Sequence, residues 1–345
     1  MVVVGGGLVY LRGRSAKPAT PVGEYVTFAA PLGLPPIPVP PDNPPTRETI
    51  ELGKRLYYDT ALSADDTVSC ATCHHPDAGF ADPKPVSIGV GGKTGTRNSP
   101  TVINAAYYTT QFWDGREPTL EKQAEGPVQN PVEMAHTLDS MVKKLSRDES
   151  YAKQFEAAFG PGSITADKVT KAIAAFERTV VAGNSPFDRW YYGGQKNAIS
   201  ESAKRGFDVF RRADKGNCAA CHVFNENYAL FTDQQFHNIG VGIRDEAPVD
   251  MGRYEVSKFD SERGAFKTPS LRNIDQTAPY MHDGSMRTLK EVVDHYVGGG
   301  SSNPWLDTKM KPVQLTAQEK ADLIEFMKSL TGEVPASTKP GAAQR

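Results

Sequence analysis

Apolar residues recur along this chain at the three- and four-residue spacing of amphipathic helices. After Thr46, a suitable N-cap, the positions Ile50, Leu52, Leu56 and Tyr57 form one apolar helical face. The same spacing predicts further helices over 138–145, 151–159, 166–181, 200–210, 288–296 and 316–330. Alternating strand patterns are nearly absent. The sequence therefore predicts a mainly α fold.

All four cysteines of the chain belong to two Cys-x-x-Cys-His motifs, Cys70, Cys73 and His74 followed later by Cys218, Cys221 and His222. Short-range disulfides and a four-thiolate zinc site are the alternatives. The histidine after each second cysteine favours covalent haem attachment, in which both thiols bond to haem vinyl groups and the imidazole binds the iron. Two such motifs, which use every cysteine, predict two haem c groups.

Two long stretches, 76–116 and 224–283, lack helical periodicity and are rich in glycine, asparagine and proline. Loops of this length are uncommon inside a compact domain unless they are functional, and wrapping a haem would explain them. Each stretch follows a helix and a haem motif, and each precedes further helices. This repeated order predicts two cytochrome c-like domains related by internal duplication.

The two ends of the chain have a different composition. Residues 1–11 are apolar but too short to span a membrane, and their basic neighbours lie on the wrong side for a signal peptide. The proline-rich run that follows cannot form a helix. We expect 1–45 to be an arm or tether, 46–195 and 196–332 to be the two haem domains, and 333–345 to be a flexible tail.

Composition narrows the class of protein further. The chain has 345 residues, 39% hydrophobic and 23% charged, as is typical of soluble globular proteins. Its formal net charge of −2 offers no basic field for nucleic acid. We therefore expect no nucleic-acid partner.

Six motifs between about Arg47 and Thr331 carry a family resemblance: SIGVGGKTGTRNSPTVINA, QFWDGR, GPVQNPVEM, SPFD, FHNIG and FKTPSLRNIDQTAPYMHDG. In this order they resemble the bacterial dihaem cytochrome c peroxidases and their relative, the methylamine-utilisation enzyme MauG. In that family the N-terminal haem reacts with hydrogen peroxide and the C-terminal haem transfers electrons. The resemblance implies that the haem on His74 is peroxide-reactive and that the haem on His222 transfers electrons.

The resemblance also implies roles for single residues. Trp113 matches the tryptophan between the haems, whereas a large aromatic in a core is the plainer interpretation. Glu133 matches the distal acid–base residue, which moves a proton between the two peroxide oxygens, and a solvated loop glutamate is the alternative. Gln123 matches a second distal polar residue. Asn98, Thr277 and Pro279 match the ligands of a calcium ion between the haems, the first through its side chain and the others through backbone carbonyls.

Two positions depart from the peroxidase pattern. Val90 stands where many of these enzymes have a histidine that blocks the first iron, so that iron is expected to be open without prior reduction. Tyr296, as in MauG, stands where a methionine usually binds the second iron, and a phenolate favours higher oxidation states. Met281 and His295 are the alternative ligands of the second iron.

The other histidines are not expected to bind iron. His75 points away because its neighbour His74 is proximal. His237 and His282 are expected to hydrogen bond to the backbone or to haem propionates, and His136 is expected to lie on the surface or in a loop.

Three functions follow as hypotheses. The first is a peroxidase that reduces hydrogen peroxide with electrons from a small cytochrome c or cupredoxin. The second is a MauG-like oxidase that oxidises residues of a partner protein through a shared high-valent dihaem state. The third, an electron-transfer cytochrome without peroxide chemistry, is disfavoured by an open iron beside Glu133. Export to the periplasm, a membrane tether at the N-terminus and a homodimer are further expectations.

Overall fold

A computed structural model of the protein describes residues 20–340, and most of its regular structure is helical. The α-helices are α1 (Arg47–Tyr58), α2 (Cys70–Cys73), α3 (Leu120–Gln129), α4 (Leu138–Leu145), α5 (Glu149–Phe159), α6 (Ala166–Glu177), α7 (Pro186–Tyr191), α8 (Glu201–Arg211), α9 (Tyr254–Ser257), α10 (Leu289–Gly298) and α11 (Ala317–Lys328). Two-residue strands pair in two antiparallel ladders, β1 (Phe236–His237) with β4 (Phe266–Lys267) and β2 (Ile243–Arg244) with β3 (Ala247–Pro248). The mainly α prediction is confirmed.

The helices predicted from periodicity all form, and the three N-caps predicted from the sequence are found. Thr46 caps α1, Thr165 caps α6 and Ser200 caps α8 through a side-chain oxygen that accepts a backbone N–H. The pattern missed α3, because Gly126 and Pro127 in its last turn are typical of loops. It also missed the short α7.

Each half is built on a pair of crossing helices, α1 with α6 and α8 with α11. Glycine at each crossing permits the close approach. A Cβ on Gly53 would lie 1.8 Å from the Ala172 carbonyl oxygen, and one on Gly206 would lie 1.9 Å from that of Asp322. Separate apolar cores surround the two crossings. Two equivalent crossings support the internal duplication.

The duplication extends into the loops at a constant spacing. Identical residues 169 positions apart occupy matching places in the two halves: Pro100 and Pro269, Asn104 and Asn273, Asp114 and Asp283, Thr119 and Thr288. Thr119 and Thr288 are the N-caps of α3 and α10, so these two helices are equivalent. Helix α10, which carries Tyr296, therefore occupies the same place in the second half as α3 does in the first half.

The two halves meet along a pseudo-symmetric seam. The backbone N–H of Asn98 donates to the His282 carbonyl at 2.7 Å, and the backbone N–H of Lys267 donates to the Trp113 carbonyl at 2.8 Å. The same offset of 169 relates the two hydrogen bonds, since it converts 98 to 267 and 113 to 282. Trp113 and His282 thus occupy equivalent positions on either side of the seam.

The chain ends pack more closely than the sequence suggested. The arm binds the body, because Val22 N–H donates to the Ala158 carbonyl at 2.9 Å and Asn43 is fully buried. Residues 333–340 also contact the body, since Thr338 is buried and its carbonyl accepts the Tyr58 hydroxyl at 2.8 Å. The flexibility of the tail stays a prediction. The apolar start at 1–11 lies outside the described residues. Within 20–340, no helix has the length and apolarity needed to cross a membrane.

Candidate dihaem site

The first haem motif forms a single helical turn that ends at its histidine. Ser69 and Thr72 make a capping box around α2, and the His74 N–H donates to the Cys70 carbonyl at 2.9 Å. The imidazole Nδ1 of His74 lies 2.9 Å from the Pro100 carbonyl oxygen, which leaves Nε2 free for a metal. Burial lowers the pKa of His74, and the neutral imidazole is the form that binds iron.

A cavity opens beside this motif. Cys70, Cys73 and His74 form part of its wall, and Gln123 and Glu133 form another part. Apolar side chains complete the lining, among them Leu62, Val68, Val128, Met134 and Ile173. Two thiols, a free imidazole nitrogen and an apolar cradle are the features that a covalently bound haem requires, so these residues fit that group.

Glu133 lies in this wall with its carboxyl held in place. Its Oε1 accepts a hydrogen bond from the Asn130 side-chain amide at 2.6 Å. Burial raises the pKa of Glu133, although the Asn130 hydrogen bond and the charge of Arg116 lower it in part. A raised pKa brings a carboxyl closer to neutral pH, where an acid–base group is most effective.

Val90 occupies the turn that faces Glu133. Its backbone N–H donates to the Glu133 carbonyl at 2.8 Å, and its side chain packs against the first apolar core. Gly89 permits this approach, because a Cβ there would lie 2.2 Å from the Val132 carbonyl oxygen. This turn therefore carries no side chain able to bind the iron.

The second haem motif has a similar arrangement. The Nδ1 of His222 lies 2.8 Å from the Phe231 carbonyl oxygen, and burial lowers the pKa of His222. Tyr296 projects from α10, and its pKa is raised by burial and then by Cys218 and Cys221. The phenol thus lies within electrostatic reach of both haem-attaching cysteines.

The alternative ligands of the second iron have other contacts in the structure. The Nε2 of His295 lies 2.8 Å from the Ile239 carbonyl oxygen, and the ring stands edge-on to Tyr296 at a centroid distance of 5.7 Å. Met281 packs against the second apolar core, as Cys218 does. Ligation of the iron by Tyr296 stays a prediction.

Trp113 and Asn98 lie together at the seam between the halves. The Trp113 indole N–H donates to the Asn98 carbonyl at 2.9 Å, and the Asn98 side-chain amide donates to the Lys84 carbonyl at 2.8 Å. The Asn98 backbone also meets His282, three residues beyond Pro279. Gly79, near the first motif, approaches the Thr277 side chain. The predicted calcium ligands therefore come from segments that line the same seam.

The remaining histidines lie where iron ligation is not expected. His237 lies between two carboxylates: its Nδ1 lies 2.5 Å from Asp307 Oδ2 and its Nε2 lies 2.9 Å from Asp233 Oδ2. Contact with Cys221, and then with Asp307 and Asp233, raises the pKa of His237 to about 9. When haem attachment converts the Cys221 thiol into a thioether, Asp307 and Asp233 remain the charged partners of His237.

His282 stacks on Phe266 at a ring centroid distance of 3.7 Å, and burial lowers its pKa to about 4. Its hydrogen bond to backbone or to a haem propionate stays a prediction. His136 is half-buried, and its Nδ1 accepts the Thr137 N–H at 2.9 Å in a loop, as expected.

Sequence reasoning missed two charged residues of the first cavity. Arg97 lines it and makes a two-pronged pair with Asp250 of the second half, with N–O distances of 2.6 and 2.8 Å. Glu177 lines it from the last turn of α6. The charged pair Glu177 and Arg178 within the mostly apolar run AIAAFERTVV was the available signal for Glu177.

Comparisons with known proteins agree with this site. The family model for di-haem cytochrome c peroxidase matches residues 47–197, and the cytochrome c model matches residues 203–331. The methylamine utilization protein MauG of Methylophilus methylotrophus is 43% identical over 296 residues, 86% of each chain. The cytochrome-c peroxidase IdrP1 of Denitromonas iodatirespirans is 38% identical over 362 residues, 93% of this chain and 94% of the relative.

The solved structures agree as well. The crystal structure of a MauG-like protein associated with microbial copper homeostasis superposes with a TM-score of 0.82 at 33% identity, covering 91% of this chain and 98% of that one. The fold and the two motifs define a c-type cytochrome with two haem domains. The chain belongs to the family of di-haem cytochrome c peroxidases and MauG.

Proposed function

We propose that the protein is an oxidoreductase that reduces hydrogen peroxide to water at the first haem, with electrons relayed through the second. The observation that carries this function is the single cavity that Glu133 and Gln123 share with Cys70, Cys73 and His74. An electron-transfer cytochrome has no need of a buried acid–base group beside an open iron. The membership of the peroxidase family supports the same conclusion.

The overall reaction consumes two electrons and two protons for each peroxide and yields two water molecules. A haem held by Cys70, Cys73 and His74 would supply the iron that binds peroxide and would pass on the electrons that reduce it. Glu133 would take the proton from one peroxide oxygen and deliver it to the other, which would then be released as water. The amide of Gln123 donates a hydrogen bond that orients the peroxide. Trp113, at the seam, lies on the route between the two haems.

Tyr296 favours a second candidate function. A phenolate donor on the second iron lowers its tendency to accept an electron and favours storage of oxidising equivalents. This property is poorly suited to an enzyme that receives electrons rapidly from a small donor. It is better suited to a MauG-like enzyme that acts on a partner protein. The candidate substrate is then an oxidisable side chain of a partner protein.

Steady-state turnover separates the two candidates. The holoprotein is mixed with hydrogen peroxide and a reduced small cytochrome c or cupredoxin, and donor oxidation is followed optically. Rapid turnover supports the peroxidase, whereas slow donor oxidation with rapid consumption of the first peroxide equivalent supports the partner-protein oxidase. No reaction of the oxidised protein with peroxide contradicts both.

The setting of the enzyme is part of the proposal. Haem attachment through Cys-x-x-Cys-His is typical of exported cytochromes, so we place the protein in the periplasm, with residues 1–19 as a candidate tether. Calcium is proposed at the seam, held by the Asn98 side chain and by the carbonyls of Thr277 and Pro279. Metal analysis of the purified protein tests the calcium proposal. The homodimer stays a prediction, which a sedimentation experiment would test.

A further inference from the structure

Glu177 is a buried acid in the first haem cavity for which the peroxide chemistry above has no use. Only 6% of the residue is exposed, and it lines the cavity from the last turn of α6. Its Oε2 is buried without a hydrogen-bond partner. A carboxyl in this position is costly to bury as an anion, because the surroundings supply little compensating polarity.

The charged neighbours of Glu177 do not neutralise it. Arg178 is adjacent on the same helix, but its Nη1 pairs with Glu121 Oε1 of α3 at 2.8 Å. From α1 the nearby titratable group is Tyr57, and from α2 it is Cys70. The buried side chains of α4 are Met141 and Leu145, so that helix adds no charge to the core.

Before any charge of a bound haem is added, these surroundings raise the pKa of the carboxyl to just above neutral pH. Burial raises the pKa of Glu177 to about 8; Arg178 acts in the opposite direction and Glu121 adds to the rise. The group is therefore poised to gain or lose a proton when a charge changes nearby. Across the same cavity, Arg97 and Glu133 are the other charged side chains of the lining, apart from the motif itself.

The second half carries a methionine at the position equivalent to Glu177. The crossing glycines align Ala172 with Asp322, so Glu177, five residues after Ala172, corresponds to Met327. Met327 is likewise buried, and it belongs to the second apolar core. The duplication thus keeps the position buried in both halves but makes it ionisable only beside the first haem.

We propose that Glu177 is a redox-linked proton acceptor of the first haem, taking up one proton when that iron gains one electron and releasing it on reoxidation. The inference rests on haem attachment at Cys70 and Cys73, and it does not require peroxide activity. The positive charge of an oxidised haem would favour the carboxylate, and the added electron cancels that charge, which favours the neutral carboxylic acid. Charge balances, because one electron and one proton enter the site together.

The test is a spectroelectrochemical titration of the holoprotein from about pH 5 to about pH 9, a range that spans the ordinary and raised pKa values of a carboxyl. In the wild type the potential of the first haem is expected to fall with rising pH, by at most about 59 mV per unit, the one-electron equivalent of a tenfold change. In Glu177→Gln, a neutral mimic of the protonated acid, the slope is expected to be lost. The potential should then stay near the wild-type value at low pH.

Three comparisons make the result specific. Glu177→Met introduces the residue found at the equivalent position, Met327, and is expected to flatten the slope as Glu177→Gln does. Agreement between the two variants shows that the effect does not come from a folding defect in one of them. The second haem is expected to keep its own pH dependence, and Glu156→Gln, an exposed position on α5, is expected to change neither haem. Redox-difference infrared spectra should lose a carboxylic acid carbonyl band in Glu177→Gln. An unchanged slope at the first haem in both Glu177 variants overturns the proposal, as does an equal change at both haems.

Discussion

Replacement of Glu133 by glutamine isolates proton transfer from every other role of that residue. The side-chain oxygen that accepts the Asn130 amide at 2.6 Å is retained, because a glutamine carbonyl accepts the same hydrogen bond. Size and position are nearly unchanged, and the backbone contact between Val90 and residue 133 stays intact. What disappears is the ability to take a proton from one peroxide oxygen and give it to the other.

The expected loss follows from this geometry. A missing acid–base group slows a reaction by about 10²- to 10⁴-fold, equivalent to about 2.7–5.5 kcal/mol of barrier at about 1.36 kcal/mol per tenfold. We expect the lower half of that range, since Gln123 in the same wall still orients peroxide. The wild-type rate should also decrease as the pH falls through the pKa of Glu133, which burial holds above its ordinary value. Glu133→Gln should lack this decrease.

The assay is stopped-flow mixing of the oxidised holoprotein with hydrogen peroxide, followed by the absorbance change of the haems at several pH values. Glu156→Gln, on the exposed side of α5, is the matched control and should react like the wild type. A Glu133→Gln protein that reacts at the wild-type rate refutes the acid–base role. A rate that is slowed but keeps the wild-type pH dependence assigns the titration to another group.

Three further predictions concern the second haem, the seam and the fold. Tyr296→Phe should change the oxidised spectrum of the second haem, because it removes the proposed oxygen ligand; an identical electron paramagnetic resonance spectrum rules that ligand out. Trp113→Phe should leave peroxide binding intact but slow electron transfer between the haems, which flash reduction measures; equal transfer rates contradict the role. Arg272→Met should cost about 3–5 kcal/mol of unfolding free energy, because it leaves the buried Asp188 carboxylate, 2.8 Å from the guanidinium, without its partner. Denaturant titration checks it, with the exposed Arg212→Met expected to cost at most about 1 kcal/mol.

Local signals predicted much of the architecture because they act within a few residues. The hydroxyl N-caps at Thr46, Thr165 and Ser200 each begin a helix where the apolar spacing begins. The sequence pattern did not predict the elements and contacts that depend on tertiary packing. Helix α3 includes Gly126 and Pro127 and is held by its contacts with α6, and residues 333–340 are held by hydrogen bonds to α1.

By itself, the sequence determined the chemistry that is written in consecutive residues: two haem attachment motifs, the duplicated order of elements, and the absence of a histidine at Val90. Only the tertiary structure decided which distant side chains share one cavity. It brought Glu133 and Glu177 to the same cavity, placed His237 between Asp233 and Asp307, and set Tyr296 near Cys218 and Cys221. A haem attachment motif consists of neighbouring residues and can be identified in the sequence. The burial of a side chain and the charges around it depend on contacts between segments far apart in the chain.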